Sequence, residues 1–162
     1  GGGEERRVRL VRVMPNTPVM AGQGMSGVAL GGEAEAGDDA LALAIMSAGG
    51  SAIRVDESQL DAITAVSGSG PAYSFFLAEA MQRAATELGL GEHASTLVTQ
   101  TLLGAARLLD ESADDAAALR KKVTSPGGTT EAAIRSLEDA GVADAVVAAI
   151  RAAEARSRVL GA

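Results

Sequence analysis

The chain has 162 residues, enough for one domain with a buried core, and carries a net charge of -7 with a pI near 4.7. This acidic balance argues against nucleic acid as a partner, because phosphate binding requires a basic face. The absence of cysteine and the single histidine exclude disulfides and cysteine- or multi-histidine-based metal sites, so no metal is predicted. No apolar run approaches the ~18 residues of a membrane span, and we expect a cytoplasmic protein with no membrane contact.

The first third of the chain alternates short apolar runs with glycine-rich joints. Residues 8–14, "VRLVRVM", and 25–30, "MSGVAL", predict two strands, separated by "PNTP", whose prolines cannot continue a sheet ladder. Residues 38–50, "DDALALAIMSAGG", predict a helix that begins at two aspartates and ends at two glycines. A third strand is predicted at residues 51–56, "SAIRVD", which completes a β-β-α-β segment.

This segment is too small to be a doubly wound nucleotide-binding domain, whose βαβ units need about 30 residues each. The spacing G-x-G-x-x-G does occur at residues 22–27, "GQGMSG", but it precedes a strand-like run instead of a helix and therefore predicts a turn. Because three short strands make a weak independent sheet, we expect further strands from upstream of residue 1 or from another chain.

From Ser58 onward the apolar residues follow a helical period. Ser58 and Asp61 resemble a capping box at the first helix, and "SGSGP" at 67–71 predicts a break or kink between two helices. The same periodicity predicts further helices, at residues 73–88, 94–109, 114–123, 131–140 and 142–160. The only aromatic residues of the chain are expected to anchor the core: Tyr73, Phe75 and Phe76.

Four segments of the chain, in this order, resemble the pyrroline-5-carboxylate reductase family: "RVMPNTP" (12–18), "DAITAVSGSGPAY" (61–73), "QTLLGAARLL" (100–109) and "VTSPGGTT" (123–130). The resemblance runs from about Arg12 to the C-terminus. It implies a mainly α fold in which a small α/β remnant of a Rossmann-type domain precedes an all-α dimerisation domain. Residues 1–57 would be the C-terminal part of the NAD(P)-binding domain, and residues 58–162 the helical dimerisation and substrate-binding domain. Because the family's cofactor fingerprint lies upstream of this match, the chain resembles a C-terminal portion.

The resemblance implies an enzyme that transfers hydride from NADPH or NADH to the C=N bond of 1-pyrroline-5-carboxylate, giving L-proline. It also implies a homodimer whose helical domains interlock, and further assembly of such dimers into larger rings. Two alternatives stay open at this point. The chain could be a helical dimerisation module without activity of its own, or part of a reductase for a related cyclic imine acid.

The segment "SPGGTT" at 125–130 allows two interpretations on its residues alone. In the first, Ser125 is an N-cap, Pro126 occupies the first helical position and the glycines shape a tight entry. In the second, the amides of Gly127 and Gly128 are open to a ligand, since a helix N-terminus attracts anions and glycine permits close approach. The basic run "RKK" at 120–122 is either a solvated helix end or an attraction for an acidic substrate.

The resemblance assigns roles to two groups of residues. It implies that the carboxylate of the substrate lies in the 125–130 loop, held by Ser125, Gly127, Gly128, Thr129 and Thr130. Thr130 would also hydrogen-bond the imine or amine nitrogen as the catalytic-site residue, with positioning as its main task because a threonine hydroxyl is a poor acid. The nicotinamide end of the cofactor would meet a second group: Met14, Pro15, Asn16 and Thr17. On the residues alone, this second group is equally a proline-rich exit from a strand.

Overall fold

The computed structural model describes residues 8–161 and confirms the expected order, a small sheet with one helix followed by helices. The strands are β1 (Val11–Met14), β2 (Gly24–Leu30) and β3 (Gly50–Arg54). The helices are α1 (Ala40–Ser47), α2 (Leu60–Ile63), α3 (Gly70–Glu87), α4 (Ala94–Glu111), α5 (Ala116–Lys122), α6 (Thr129–Asp139) and α7 (Val142–Leu160). In the described part of the chain, no helix is both long and apolar enough to cross a membrane.

The three strands form one sheet in the order β1-β2-β3. β2 runs antiparallel to β1, with Met14 opposite Gly27, and parallel to β3, with Val28 opposite Arg54. Val28 and Ala29 on the central strand are completely buried. Only Gly22 and Gln23 of the motif at residues 22–27 form a turn, and residues 24–27 already belong to β2, so the motif precedes no helix.

An ion pair between a buried carboxylate and a partly exposed arginine links the start of α1 to the end of β3. Asp39 is the N-cap residue of α1 and has no exposed surface. Arg54 binds both of its carboxylate oxygens, through Nε to Oδ2 and through Nη2 to Oδ1, the latter at 2.7 Å. Because Arg54 is the last residue of β3, the ion pair holds the start of α1 at the end of this strand.

The capping box of the first helical run lies earlier than predicted. Asp56, not Ser58, is the N-cap residue, and its backbone N–H donates to Oε1 of Gln59 at 2.9 Å. Asp56 has the extended φ and ψ of -72° and 150° that an N-cap residue requires, whereas Ser58 already lies inside the first turn. The pairing of Ser58 with Asp61 was therefore wrong, and Asp61 instead accepts a hydrogen bond from the Ser157 hydroxyl at 2.6 Å.

The break predicted at 67–71 is a single π-helical turn between α2 and α3. The N–H of Ser69 donates to the carbonyl of Thr64 at 2.8 Å, five residues earlier. The Tyr73 hydroxyl donates to the carbonyl of Ala65 at 2.9 Å, and Ala65 is buried. Tyr73 thus satisfies a backbone group of the π turn, a kind of turn that is often found at functional sites.

Phe75 and Phe76 do not anchor the core of the chain. Their exposed fractions are 64% and 75%, and Leu97, Leu103 and Leu109 on α4 are also exposed. Helical periodicity correctly placed apolar residues on helix faces, but it cannot say whether the same chain covers those faces. The expectation for these two phenylalanines was wrong for that reason.

Backbone contacts divide the chain into two compact units, Gly1–Tyr73 with Ala149–Ala162, and Ser74–Ala148. The first unit holds the sheet, α1, α2 and the π turn, and the second holds α4, α5 and α6. The domain boundary at residues 57/58 remains a prediction from the change in sequence pattern.

Candidate functional site

The 125–130 loop contains a type II β-turn that leads into α6. The N–H of Gly128 donates to the carbonyl of Ser125 at 3.0 Å, with Pro126 and Gly127 at the two central positions. Gly127 has a φ of +71°, the left-handed conformation that the third position of this turn requires. Proline fixes φ at the second position and glycine accepts the positive φ at the third, so the sequence Pro-Gly selects the turn type.

The N-cap residue of α6 is Gly128, not Ser125. A left-handed residue cannot continue a right-handed helix, so the positive φ of Gly127 delays the helix to Thr129. The capping interpretation, with Ser125 as N-cap and Pro126 as the first helical residue, was therefore wrong. Ser125 remains exposed, and its hydroxyl makes no hydrogen bond within residues 8–161.

The amides of both glycines have partners within the loop. Gly128 N–H is used in the turn, and Gly127 N–H donates to Oε2 of Glu131 at 2.9 Å. Glu131 is the third helical residue, so its carboxylate reaches back over the helix start as the acid of a capping box does. Sequence reasoning missed this role of Glu131, although an acidic residue three places after an N-cap is the usual signal for it.

Three other amides at the start of α6 lack a partner in the described part of the chain, those of Thr129, Thr130 and Glu131. The first intrahelical acceptor, the Gly128 carbonyl, is used by the N–H of Ala132 at 3.3 Å. These amides carry the positive end of the helix dipole, and the hydroxyls of Thr129 and Thr130 stand beside them without a hydrogen bond inside the described residues. The group can therefore donate to an anion.

The basic end of α5 is largely neutralised. Arg120 pairs with Glu138 at 3.1 Å, and Lys122 pairs with Asp114. Of this run, only Lys121 has no ion-pair partner within residues 8–161. An attraction for acidic ligands from "RKK" thus reduces to one uncompensated lysine.

A cavity of about 470 Å³ adjoins the same loop and extends along α6. Its wall consists of Gly127, Gly128, Glu131, Ala132, Arg135, Ser136 and Asp139. None of the three hydroxyl residues, Ser125, Thr129 and Thr130, lines it. The cavity therefore shares Glu131 with the group of unpartnered amides but contains none of the three hydroxyl residues.

The second predicted group, residues 14–17, lies at the end of β1. Pro15 and Thr17 are exposed, whereas Met14 and Asn16 are partly buried. The Asn16 side chain accepts from the N–H of Met25 at 2.9 Å and donates to the carbonyl of Ser67 at 3.1 Å. Sequence reasoning did not foresee this link to the π turn. Residues 14–17 and the 125–130 loop belong to different compact units. The residues of each predicted group lie together within their own unit.

Comparisons with known proteins identify relatives along nearly the whole chain. The model of the family described as pyrroline-5-carboxylate reductase dimerisation matches residues 57–160. A pyrroline-5-carboxylate reductase of Pseudomonas aeruginosa is 48% identical over 160 residues, which is 98% of this chain and 58% of that protein. The corresponding protein of a Synechocystis species is 44% identical, over 94% of this chain and 57% of that protein.

Solved structures of the same group are similar in fold. The structure of a pyrroline-5-carboxylate reductase from Coxiella burnetii gives a TM-score of 0.90 at 44% identity, covering 96% of this chain and 58% of that one. A pyrroline carboxylate reductase from Plasmodium falciparum, solved with NADP bound, gives 0.89 at 30% identity, over 97% and 64%. The chain spans about 58% of the length of the curated relatives it matches. Since the family model covers most of the chain, it belongs to the pyrroline-5-carboxylate reductase dimerisation family.

Proposed function

We propose that this protein is an NAD(P)H-dependent pyrroline-5-carboxylate reductase, which reduces the C=N bond of 1-pyrroline-5-carboxylate to give L-proline. The observation that carries the proposal is the cluster of unpartnered amides and hydroxyls at the start of α6, in a chain of this family. A small cyclic imine with one carboxylate is the ligand that this cluster suits, because it offers one anion and one ring nitrogen.

The carboxylate of the substrate is held at the N-terminus of α6. The backbone N–H groups of Thr129, Thr130 and Glu131 are the available donors, and the hydroxyls of Ser125 and Thr129 add to them. The two loop glycines, originally predicted as direct contacts, serve by shaping the turn, since their own amides are occupied. The Glu131 carboxylate, already bonded to a loop amide, does not compete for these three donors.

Thr130 orients the ring through a hydrogen bond from its hydroxyl to the nitrogen of the product amine, or by accepting one from the iminium N–H. Hydride joins the imine carbon, and the electron pair of the C=N π bond moves to nitrogen. Because the iminium form already carries the proton on nitrogen, this addition gives the neutral amine without a side-chain acid. A chain with one histidine and no cysteine is compatible with that chemistry.

The hydride comes from NADPH or NADH, whose nicotinamide end we place against residues 14–17. The exposed Thr17 fits this role, since its hydroxyl makes no hydrogen bond within residues 8–161 and it follows the end of β1. The resemblance of "RVMPNTP" at 12–18 to the reductase family is the reason for this placement. The Plasmodium falciparum relative, solved with NADP bound, supports this choice of cofactor.

The apolar faces of the helices support a homodimer, as does the dimerisation family to which the chain belongs. Exposed leucines and phenylalanines on neighbouring helices are the composition expected of a permanent interface. Assembly beyond a dimer and a cytoplasmic location remain predictions. The alternative of a dimerisation module without activity rests on the same exposed faces.

NADPH oxidation by the product of the complete reading frame that contains these residues tests the proposal. Thr130→Val should lower kcat/KM for pyrroline-5-carboxylate at least tenfold, since it removes a hydrogen bond to a charged group worth about 1.5–3 kcal/mol. Thr86→Val is the matched control, because this exposed hydroxyl bonds only to the carbonyl of Gln82 in its own helix. If the protein is a dimer that neither binds NADPH nor consumes the substrate, only the alternative of a dimerisation module without activity remains. Faster turnover of the six-membered imine acid would favour the related-substrate alternative.

A further inference from the structure

Asn16 joins three segments of the chain that are far apart in sequence. Its Oδ1 accepts from the N–H of Met25 at the start of β2, at 2.9 Å. Its Nδ2 donates to the carbonyl of Ser67 in the π turn at 3.1 Å and lies 3.4 Å from the Ser67 hydroxyl oxygen. The polar atoms of this side chain therefore have partners on both sides of the loop that carries it.

The carbonyl that Asn16 binds has no donor in its own helix. In an α-helix the carbonyl of Ser67 would accept from the N–H of residue 71, but that residue is Pro71, which has none. The π turn shifts the bonding by one residue, and the next amide, that of Ala72, donates to Ser69 at 3.0 Å instead. Asn16 supplies the donor that the proline removes.

Two glycines near Asn16 lie in close contact with neighbouring side chains. A Cβ atom on Gly68 would lie 2.6 Å from Cε of Met14, which is shorter than a real contact. On the other side, a Cβ atom on Gly27 of β2 would lie 3.0 Å from Cγ2 of Ile63. At Gly68 the flexible end of Met14 can move aside, whereas at Gly27 the branched side chain of Ile63 would have to give way, so the contact between β2 and the end of α2 is the tighter of the two.

We infer that Asn16 is a positioning residue for the reduction, which fixes the nicotinamide-side loop 14–17 against the π turn 64–68, and is not itself a cofactor ligand. This inference rests on the proposed function. Because the side-chain amide of Asn16 is already hydrogen-bonded within the protein, Asn16 acts through its neighbours. Thr17 and the backbone of the loop are the groups left to contact the cofactor. Misplacement of reacting groups by about 1 Å costs up to a hundredfold in rate. A side chain that fixes the position of this loop therefore affects the rate of hydride transfer.

Asn16→Ala in the product of the complete reading frame should lower kcat for NADPH oxidation at least tenfold. The KM for pyrroline-5-carboxylate should stay within twofold, because the substrate is held by the separate 125–130 loop. With NADPH deuterated at the transferred position, the isotope effect on kcat should rise as hydride transfer becomes rate-limiting. A purely structural loss of active protein would leave the isotope effect unchanged.

Ser67→Ala is the matched control, since it removes only the 3.4 Å hydroxyl contact and keeps the backbone carbonyl that accepts from Asn16. It should keep kcat within twofold of wild type. Asn16→Asp keeps the acceptor for the N–H of Met25 but replaces the donor to the Ser67 carbonyl by an oxygen, and should lower kcat with the same rise in isotope effect. It decides the question if Asn16→Ala does not fold.

The outcomes separate the two proposals. Wild-type protein that binds NADPH but does not oxidise it with pyrroline-5-carboxylate would refute the proposed function. Active wild type together with an unchanged kcat in Asn16→Ala would refute the positioning role alone. Loss of activity in Asn16→Ala at an unchanged isotope effect would also refute the positioning role. A rise in the KM for NADPH with no change in kcat would refute it too, because Asn16 would then be a direct cofactor ligand.

Discussion

Removal of the Arg54 side chain should destabilise the protein far more than removal of an equally exposed arginine whose carboxylate partner is not buried. Arg54→Met leaves the carboxylate of Asp39 completely buried without its counter-charge. The comparison is Arg12→Met, because Arg12 also forms an ion pair, with Glu57 at 2.6 Å, but both partners are about half exposed. The two substitutions remove the same chemical group in different environments.

The expected magnitude follows from the burial of the two partners. Two unit charges about 4 Å apart interact by about 4 kcal/mol at an effective dielectric constant near 20. The Arg54 side chain is 58% exposed, so water screens the pair, and we expect a loss of about 2–3 kcal/mol, below the usual 3–5 kcal/mol for a fully buried pair. Arg12→Met should cost about 0–1 kcal/mol, as exposed pairs do.

Urea unfolding at one fixed protomer concentration measures both losses, since subunit association would otherwise shift the midpoint. The double variant Asp39→Ala with Arg54→Met should recover part of the loss, because no charge is then left buried alone. Equal losses for Arg54→Met and Arg12→Met, or strictly additive losses in the double variant, would refute the assignment of Asp39 and Arg54 as a coupled buried pair.

Three further predictions concern the loop, the π turn and the exposed helix face. Gly127→Ala and Gly141→Ala should each cost about 1–2 kcal/mol in thermal unfolding, since both residues have positive φ (+71° and +66°) with open space around them; only the former should raise KM for the substrate. Tyr73→Phe should cost about 1 kcal/mol through the lost bond to the π-turn carbonyl, and a Tm equal to wild type would contradict that role. Phe76→Ser should dissociate the proposed dimer in sedimentation runs, whereas Met20→Ser, at a more exposed position outside the α-helices, should not; a dimer in both cases would place the interface elsewhere.

The β-β-α-β segment was predictable because glycine and proline mark its joints. Alternating apolar residues located each strand to within about three residues, and the paired glycines at 49–50 marked the end of α1. What the pattern could not give was the partner of Asp39. Two aspartates precede α1, and only the fold shows that the second lies against the end of β3 and is buried.

The 125–130 loop was predictable in its residues but not in its hydrogen bonds. Pro-Gly signals a type II turn, and the following threonines signal a helix start. The sequence does not show that the Glu131 carboxylate and the Ser125 carbonyl occupy both glycine amides. The proposed anion donors therefore begin at Thr129, directly after the glycines, and not at the glycines themselves.

The exposed phenylalanines bear on the energetics of the proposed dimer. Phe75 and Phe76 are mostly exposed, and burying what remains should contribute about 1–2 kcal/mol each. In a two-fold symmetric dimer every contact occurs twice, so the two residues together contribute about 4–8 kcal/mol. Association costs about 4–15 kcal/mol, so these aromatics offset only the lower part of that range. The exposed leucines of α4 must supply the rest, so the proposed dimer depends on apolar side chains that the chain itself leaves uncovered.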